Sequence, residues 1–231
     1  MLEVSGLNSG YGTSRVLNDV SFTVGDGSVT SLIGRNGMGK TTSIKTIMGM
    51  IKPFSGAIRV NGKDLCGAEP FEIARAGLGL VPEGRRVFRS LSVAENLLAT
   101  RSTRRSVRWT LARIFGLFPV LEERQRQLAS TLSGGEQQML VIGRALMTNP
   151  SLLILDEATE GLAPLIRQTI WHCLASLKTD GESILVVDKY SKQMSEVVDH
   201  NLIMEKGRIV WGGSSAALNA DPSVTLRYLG L

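Results

Sequence analysis

Residues 34–41 form a glycine-rich segment in which two glycines are separated by four residues and followed by Lys40 and Thr41. Glycines let main-chain N–H groups turn inward around phosphate oxygens, where a side chain would obstruct them. A lysine at this position reaches the β- and γ-phosphates of a nucleotide, and the next hydroxyl is placed for Mg²⁺. The residues expected to line this phosphate site are Gly34, Arg35, Asn36, Gly37, Met38, Gly39, Lys40, Thr41 and Thr42.

Two adjacent acids, Asp156 and Glu157, end an apolar run over residues 152–155. In open α/β sheets the ligand site lies at the carboxyl ends of the strands, so both acids are expected beside the phosphates. We expect Asp156 to lie near Mg²⁺, directly or through water. We expect Glu157 to polarise the water that attacks the γ-phosphate, while Lys40 holds the charge. The alternative is a pair of surface acids that cap the following helix.

Alternating strand and helix patterns surround these two motifs. A strand over residues 29–33 precedes the glycine-rich segment and a helix over residues 39–50 follows it, which argues against an incidental glycine-rich turn. The other patterns predict strands at 78–81, 152–155 and 184–187, hairpins at 57–62 and 202–211, and helices at 135–147, 164–178 and 216–229. This order predicts an α/β P-loop NTPase fold with a mostly parallel central sheet and an N-terminal antiparallel β subdomain.

The stretch over residues 92–130 has a mainly helical pattern and is rich in arginine. We predict that the chain is one domain over residues 1–231, with an inserted helical subdomain over approximately residues 92–148. Arginines are concentrated over residues 85–113, where they are Arg85, Arg86, Arg89, Arg101, Arg104, Arg105, Arg108 and Arg113. They form either a solvated helical surface or a patch that faces a partner or lipid.

Composition restricts the class of protein. The 231 residues are 43% hydrophobic and 20% charged, which allows a packed core, and the formal net charge is +5. No secretory signal is visible and no apolar run reaches the length that spans a bilayer, so we expect a cytoplasmic protein whose membrane role goes through a partner. Cys66 and Cys173 lie far apart without metal-ligand spacing and are expected to be free thiols.

Residues 132–138 read Leu-Ser-Gly-Gly-Glu-Gln-Gln and precede an apolar helix. Ser133 is a candidate helix cap, and small residues with free N–H groups at a helix start also form an anion site. Residues 132–136, here named the signature turn, lie between the glycine-rich segment and the acidic strand. With the three motifs in this order, the whole chain resembles the ATP-binding subunits of ABC transporters. The resemblance implies ATP and Mg²⁺ as cofactors. It also implies a head-to-tail dimer in which Ser133, Gly135 and Glu136 contact the γ-phosphate held by the other subunit.

Three further positions take their expected roles from the same resemblance. Tyr11 resembles the aromatic residue that stacks on adenine, and a half-buried turn tyrosine is the alternative. Glu83 occupies the place of the usual glutamine, and is expected near Mg²⁺ in the loop that leads to the membrane subunit. Residues 160–163, here named the crossing loop, resemble the loop that crosses the dimer interface, although Glu160 and Ala163 replace its usual serine and aspartate.

The family usually has a histidine just after the strand that matches residues 184–187, whereas this chain has Asp188, Lys189 and Tyr190. Our hypothesis is that Lys189 takes the histidine's place in catalysis and contacts the γ-phosphate as a point charge. The alternative is a surface lysine without a catalytic role. The two histidines, His172 and His200, lie elsewhere and are interpreted as structural.

The segment VPEGRRVF at 81–88, the segment GLAP at 161–164 and the short tail ending at Tyr228-Leu229-Gly230 resemble the paired ATPases of branched-chain amino acid importers, whose relatives serve urea and short amides. This resemblance implies a second ATPase subunit (the same or a related chain), transmembrane permease subunits and, indirectly, a periplasmic or extracellular solute-binding protein. It places the chain peripherally at the cytoplasmic face of the inner membrane, and it implies that nucleic acid is not a partner.

Two other classes of protein share part of this pattern. A P-loop kinase or other phosphoryl transferase shares the Lys40 loop but has no use for the signature turn. A non-transport ABC ATPase that acts on nucleic acid or ribosomes usually carries two cassettes or a long coiled-coil insertion, and this chain has one cassette without a heptad run.

Overall fold

The computed structural model describes residues 1–102, 107–189 and 192–230. Arg104 and Arg105 of the arginine-rich stretch, and Tyr190 after Lys189, lie outside the described residues. Within the described ranges, no helix is both long enough and apolar enough to cross a membrane.

The strands and helices follow in chain order. The strands are β1 Leu2–Tyr11, β2 Ser14–Val24, β3 Val29–Ile33, β4 Ser55–Val60, β5 Lys63–Asp64, β6 Leu78–Val81, β7 Leu152–Asp156, β8 Ser183–Val187, β9 His200–Glu205 and β10 Arg208–Ser214. The helices are α1 Lys40–Ile47, α2 Pro70–Arg75, α3 Val93–Leu98, α4 Leu111–Leu117, α5 Pro119–Glu123, α6 Gly134–Met147, α7 Pro164–Thr179, α8 Lys192–Val197, α9 Ser215–Ala220 and α10 Pro222–Leu229. A 3₁₀ turn, Ala129–Thr131, lies between α5 and α6.

The larger sheet has the strand order β10-β9-β3-β8-β7-β6. Its strands are parallel except for β10, which pairs antiparallel with β9. Strands β3, β7 and β8 are buried along their whole length, as expected for mainly apolar strands that are covered on both faces of a parallel sheet. The carboxyl ends of these three neighbours meet at one edge of the sheet, so the loops that follow them meet there too. The prediction of a mostly parallel central sheet is confirmed.

The smaller sheet is antiparallel with the order β2-β1-β4-β5, which confirms the predicted β subdomain. Helix α1 contacts β1 and β2 of this sheet and β7 of the larger sheet. Its residues Ile44 and Ile47 join one buried apolar cluster with Leu2, Leu32 and Ile154. The helix that follows the phosphate loop is therefore fixed between both sheets.

Helix α1 is shorter than the predicted 39–50, because it ends at Ile47. Gly49 has φ +71°, a left-handed conformation that ends helices, and a side chain there would meet the Ala68 carbonyl oxygen at 2.4 Å. Apolar periodicity alone does not reveal this stop, since Met48 and Met50 continue the pattern.

The arginine-rich region is less continuously helical than the pattern predicted. It contains the short helices α3, α4 and α5, and residues 99–102 and 107–110 are not helical. The main chain of Trp109 is bound instead to Asn149, whose Oδ1 accepts from the Trp109 N–H at 2.7 Å. Helix α6 contacts α3, α4, α5 and also β6 of the larger sheet. The division of the domain at residues 92–148 stays a prediction.

The tail is also divided, since the helix predicted over 216–229 is two helices. Helix α9 ends at Ala220 and α10 begins at Pro222. Proline has no N–H to continue the first helix, and Asp221 instead caps the second by accepting from the Ser223 N–H at 3.1 Å.

Candidate active site

The glycine-rich segment follows β3 and turns directly into α1. Gly37 and Gly39 have φ values of +79° and +107°, which side-chain-bearing residues rarely adopt. A side chain at Gly34 would come within 2.4 Å of the Met204 carbonyl oxygen on β9. The glycines are thus required both by the turn of the loop and by its close approach to the sheet.

Lys40 is held across this loop. Its side chain is only 4% exposed, and Nζ donates to the carbonyl oxygens of Gly34 at 2.9 Å and Arg35 at 3.2 Å. The same nitrogen lies 3.9 Å from Glu157 Oε1. Since α1 has no acid in its first turn, the positive end of its dipole is not neutralised within the helix. The loop therefore concentrates positive charge and free N–H groups, as a phosphate site needs.

Asp156, the last residue of β7, and Glu157, which follows it, face this loop. The Thr41 hydroxyl donates to Asp156 Oδ1 at 3.5 Å, and Asp156 is 4% exposed. Burial, with a smaller contribution from the negative charge of Glu83, raises the pKa of Asp156 to about 6. A hydroxyl and two carboxylates form the hard oxygen set that Mg²⁺ prefers, and this ion usually takes one or two carboxylates together with phosphate and water. Thr41, Asp156 and Glu83 therefore fit a magnesium ion.

Glu157 lies in an unusual backbone conformation. Its φ is +50°, and its N–H donates to the Val187 carbonyl at the end of β8, at 2.7 Å. Such conformations persist only where surrounding contacts enforce them, and they cluster at active sites. Here the main-chain bond to β8 fixes the turn that directs the Glu157 side chain toward Lys40.

Glu157, Glu160 and Lys189 form one row of interacting charges. A hydrogen bond with Glu160 and then burial raise the pKa of Glu157 to about 7. The pKa of Glu160 is lowered, first by the hydrogen bond with Glu157 and then by that with Lys189. Lys189 Nζ lies 2.5 Å from Glu160 Oε1, which raises the pKa of Lys189. The ionised Glu160, which Lys189 stabilises, therefore opposes loss of the proton from Glu157.

A cleft of about 310 Å³ lies over the phosphate loop. Its lining brings together Tyr11, Asn36, Gly37, Gly39, Lys40, Thr41, Thr42 and Glu157. Tyr11 is half exposed at the edge of this cleft, where a flat ligand can stack on its ring. Met38 is not among the described residues that line this cleft, and its carbonyl oxygen accepts from the Gly207 N–H at 2.9 Å.

The signature turn is a capped helix start. Ser133 Oγ accepts from the Glu136 N–H at 3.3 Å, and Glu136 Oε2 accepts from the Ser133 N–H at 2.7 Å. Gly135 is buried so tightly that a side chain would meet Ile166 of α7 at 2.8 Å. In the described part of the chain, Ser133, Gly135 and Glu136 are not among the residues that line the cleft over the phosphate loop.

Residues 17–160 of this chain match the model of the family described as ABC transporter. The chain belongs to the ABC transporter family. As a member it is an ATP-binding, ATP-hydrolysing subunit, so the resemblance inferred from the two motifs and the signature turn is confirmed.

Similar ABC transporter proteins match this ATPase over nearly their full length. It is 41% identical to the high-affinity branched-chain amino acid transport ATP-binding protein BraG of Pseudomonas aeruginosa, with 100% of each chain covered. It is 32% identical to the lipopolysaccharide export system ATP-binding protein LptB of Acidithiobacillus ferridurans, covering 100% of this chain and 97% of that one. The ADP conformation of MJ1267, an ATP-binding cassette of an ABC transporter, superposes with a TM-score of 0.82 at 28% identity, covering 100% and 99% of the two chains.

Some residues of this ABC transporter ATPase contribute to the site without having been singled out from the sequence. Asp188 is 4% exposed and accepts hydrogen bonds from Thr159, one residue before the crossing loop, and from the Lys189 N–H. Arg85 reaches the crossing loop and the signature turn. The glycine at position 134 is a weak sequence signal for the Arg85 contact, because a helix start does not by itself require glycine there. The catalytic roles of Glu157, Lys40 and Lys189 stay predictions.

Proposed function

We propose that this ABC transporter ATPase powers the import of branched-chain amino acids or related small amides. The observation that carries the proposal is the 41% identity to BraG over the full length of both chains, compared with 32% to the lipopolysaccharide export protein. The segments at 81–88 and 161–164 support the same subgroup. The transported molecule is recognised by partner subunits, and this chain supplies the free energy of ATP hydrolysis.

The working form in this proposal is a dimer of ATPase subunits, made of two copies or of this chain and a related one. ATP lies between the Lys40 loop of one subunit and the Ser133 turn of the other. The separation of the signature turn from the cleft within one chain supports this arrangement. The capped start of α6, with its exposed Ser133, is suited to meet an anion presented by a second subunit.

Chemistry in the proposed site is carried by few groups. Lys40 neutralises charge on the phosphates, and Tyr11 stacks on the adenine. Mg²⁺, when bound, would neutralise the charge that develops on the phosphate oxygens, and Thr41, Asp156 and Glu83 would hold it. Glu157 takes the proton of the attacking water, and its raised pKa places it close to the pH at which a general base works best.

A second groove of about 450 Å³, next to the cleft over the phosphate loop, is suited to a transmembrane permease. Its lining is largely apolar, from residues such as Met48, Met50, Leu78, Leu80 and Phe88. Thr41, Glu83 and Asp156 line the same groove, so a partner seated there would lie directly against the proposed magnesium ligands. In this proposal the permease holds the chain at the cytoplasmic face of the membrane, and a solute-binding protein delivers cargo from outside.

The function is tested by isolating the complete complex through an affinity tag on this chain and reconstituting it in vesicles. We expect a permease pair, and ATP hydrolysis stimulated by the cognate solute-binding protein when it is loaded with leucine, isoleucine or valine, or with urea or a short amide. Stimulation by a lipid substrate instead would reject the import proposal. Salt-sensitive DNA or RNA binding without a permease would favour the non-transport alternative.

A further inference from the structure

The side chain of Arg85 links two surfaces that are far apart in the sequence. Its Nη2 donates to the carbonyl oxygen of Gly161 at 3.0 Å and to that of Glu160 at 3.4 Å, both in the crossing loop. The guanidinium is a planar group with several fixed donors, so it can bind two neighbouring carbonyls at once. A lysine in its place would be a single point charge.

The other edge of the Arg85 guanidinium lies on the signature turn. A side chain at Gly134 would come within 2.3 Å of Arg85 Nη1 and 3.2 Å of Arg85 Cζ. The three atoms nearest to that position all belong to Arg85, so the glycine makes room for the guanidinium. Gly161 is also close, since a side chain there would meet Nη2 at 3.4 Å.

The backbone at Arg85 is itself held in an uncommon conformation. Its φ is +50°, in the left-handed region that residues with side chains disfavour. The Arg85 carbonyl accepts from the Val87 N–H at 2.8 Å, which closes a tight turn. A conformation of this kind is maintained by the contacts of the residue, and for Arg85 these are the contacts to the crossing loop and the signature turn.

We propose that Arg85 is a positioning residue that makes the signature turn and the crossing loop of one subunit a single rigid surface for the second subunit. The inference rests on the ATP-bridged dimer of the proposed function. Both segments face the other subunit in that dimer, and the bonds from one guanidinium fix their relative position before the subunits meet. Such preorganisation lowers the ordering cost of association without touching nucleotide.

The same residue lies between the groove and the dimer surface. Two residues before it, Glu83 lines the groove beside Asp156. Three residues after it, the Phe88 N–H donates to Asn96 Oδ1 at 2.8 Å, and Asn96 Nδ2 donates to the Phe88 carbonyl at 3.0 Å, which fixes the segment to α3. A movement of α3 would therefore reach both dimer-facing segments through Arg85.

The proposal is tested by ATP-driven dimerisation of the full chain carrying Glu157→Gln, measured by sedimentation velocity. Arg85→Ala should weaken dimerisation by at least about tenfold, since bonds from a charged donor to two carbonyls are lost. Binding of a fluorescent ATP analogue to dilute monomer should stay within about twofold, because, in the described ranges, Arg85 is not among the residues that line the cleft over the phosphate loop. Arg85→Lys should recover little, and the exposed Arg59→Ala on β4 is the matched control, expected to dimerise like the parent.

A second comparison separates a specific contact from general damage. Gly134→Ala should weaken dimerisation when Arg85 is present, because the new methyl displaces the guanidinium, and should add little to Arg85→Ala. Additive losses, or unchanged dimerisation of Arg85→Ala, would overturn the role of Arg85. A parent Glu157→Gln chain that stays monomeric with ATP, both alone and with the related ATPase subunit of its complex, would instead remove the dimer itself, and with it the ATP-bridged arrangement of the proposed function.

Discussion

Asp188 binds Thr159 twice, by accepting from its main-chain N–H at 3.1 Å and from its hydroxyl at 2.7 Å, both at Oδ2. The other oxygen, Oδ1, accepts from the Lys189 N–H at 2.8 Å. One buried carboxylate therefore connects the loop after β8 to the loop after β7, which begins with Glu157. The positions of the predicted base and of Lys189 depend on this connection.

Asp188→Ala should lower both activity and stability. It leaves the buried Thr159 N–H without its acceptor, a loss of about 1–3 kcal/mol in the free energy of unfolding. Misplacement of Glu157 should reduce kcat by roughly tenfold or more. Urea unfolding and steady-state ATPase assays measure the two effects. Asp26→Ala is the matched control, because Asp26 is 82% exposed, and an Asp188 variant equally active and stable would contradict the connection.

Glu157→Gln should abolish turnover while ATP binding remains. The amide cannot accept the proton of the attacking water, so kcat should fall by at least about 100-fold. Rapid filtration with labelled ATP checks that affinity stays close to the parent value, and light scattering checks that ATP-bound dimers accumulate. The exposed Glu123→Gln serves as control. Full turnover in the Glu157 variant would remove the base assignment.

ATP hydrolysis should depend on pH near neutrality, since the pKa of Glu157 is raised to about 7. A general base works only when ionised, so kcat/KM should rise with pH through this value and be lost below it. Glu160→Gln replaces the main cause of the raised pKa with an amide that donates to the Glu157 carboxylate, so the rising limb should move to lower pH. If the rising limb of the pH profile of kcat/KM does not move, Glu160 does not set the pKa of Glu157.

Lys189→Ala tests whether the residue at the usual histidine position is catalytic. If Lys189 contacts the γ-phosphate and stabilises the ionised Glu160, kcat should fall by at least about tenfold with little change in ATP affinity. Lys63→Ala, an exposed lysine on β5, is the control. Turnover close to that of the parent would assign Lys189 to the surface-lysine alternative.

The parts of the site that depend on local sequence were predictable. The phosphate loop and the acids at 156–157 each follow a buried strand, and strand ends meet at one edge of a parallel sheet. The contacts of Arg85 were not predictable, because Arg85 and Gly161 are separated by 76 residues and no periodicity relates them. Asp188 is similar, since Thr159 lies 29 residues before it and only the pairing of β7 with β8 brings the two together.

Helix ends were missed for a different reason. The apolar pattern of α1 continues through Met50, but Gly49 adopts a left-handed conformation, and the Ala68 carbonyl of another segment leaves no room for a side chain there. In the arginine-rich region, Trp109 is buried and its Nε1 donates to Glu182 Oε1 at 2.8 Å, so tertiary contacts override the helical preference of its neighbours.

The position of β3 between β8 and β9 has a consequence for synthesis on the ribosome. The strand that carries the phosphate loop gains its two neighbours only when residues 183–205 have left the exit tunnel, and the Met38 carbonyl is bound by the still later Gly207. A nascent chain that has emerged only as far as α7 therefore has the Lys40 motif without the walls that shape it. Such a chain lacks the sheet neighbours of its phosphate loop, so we expect nucleotide binding to begin only after residues 183–207 have emerged.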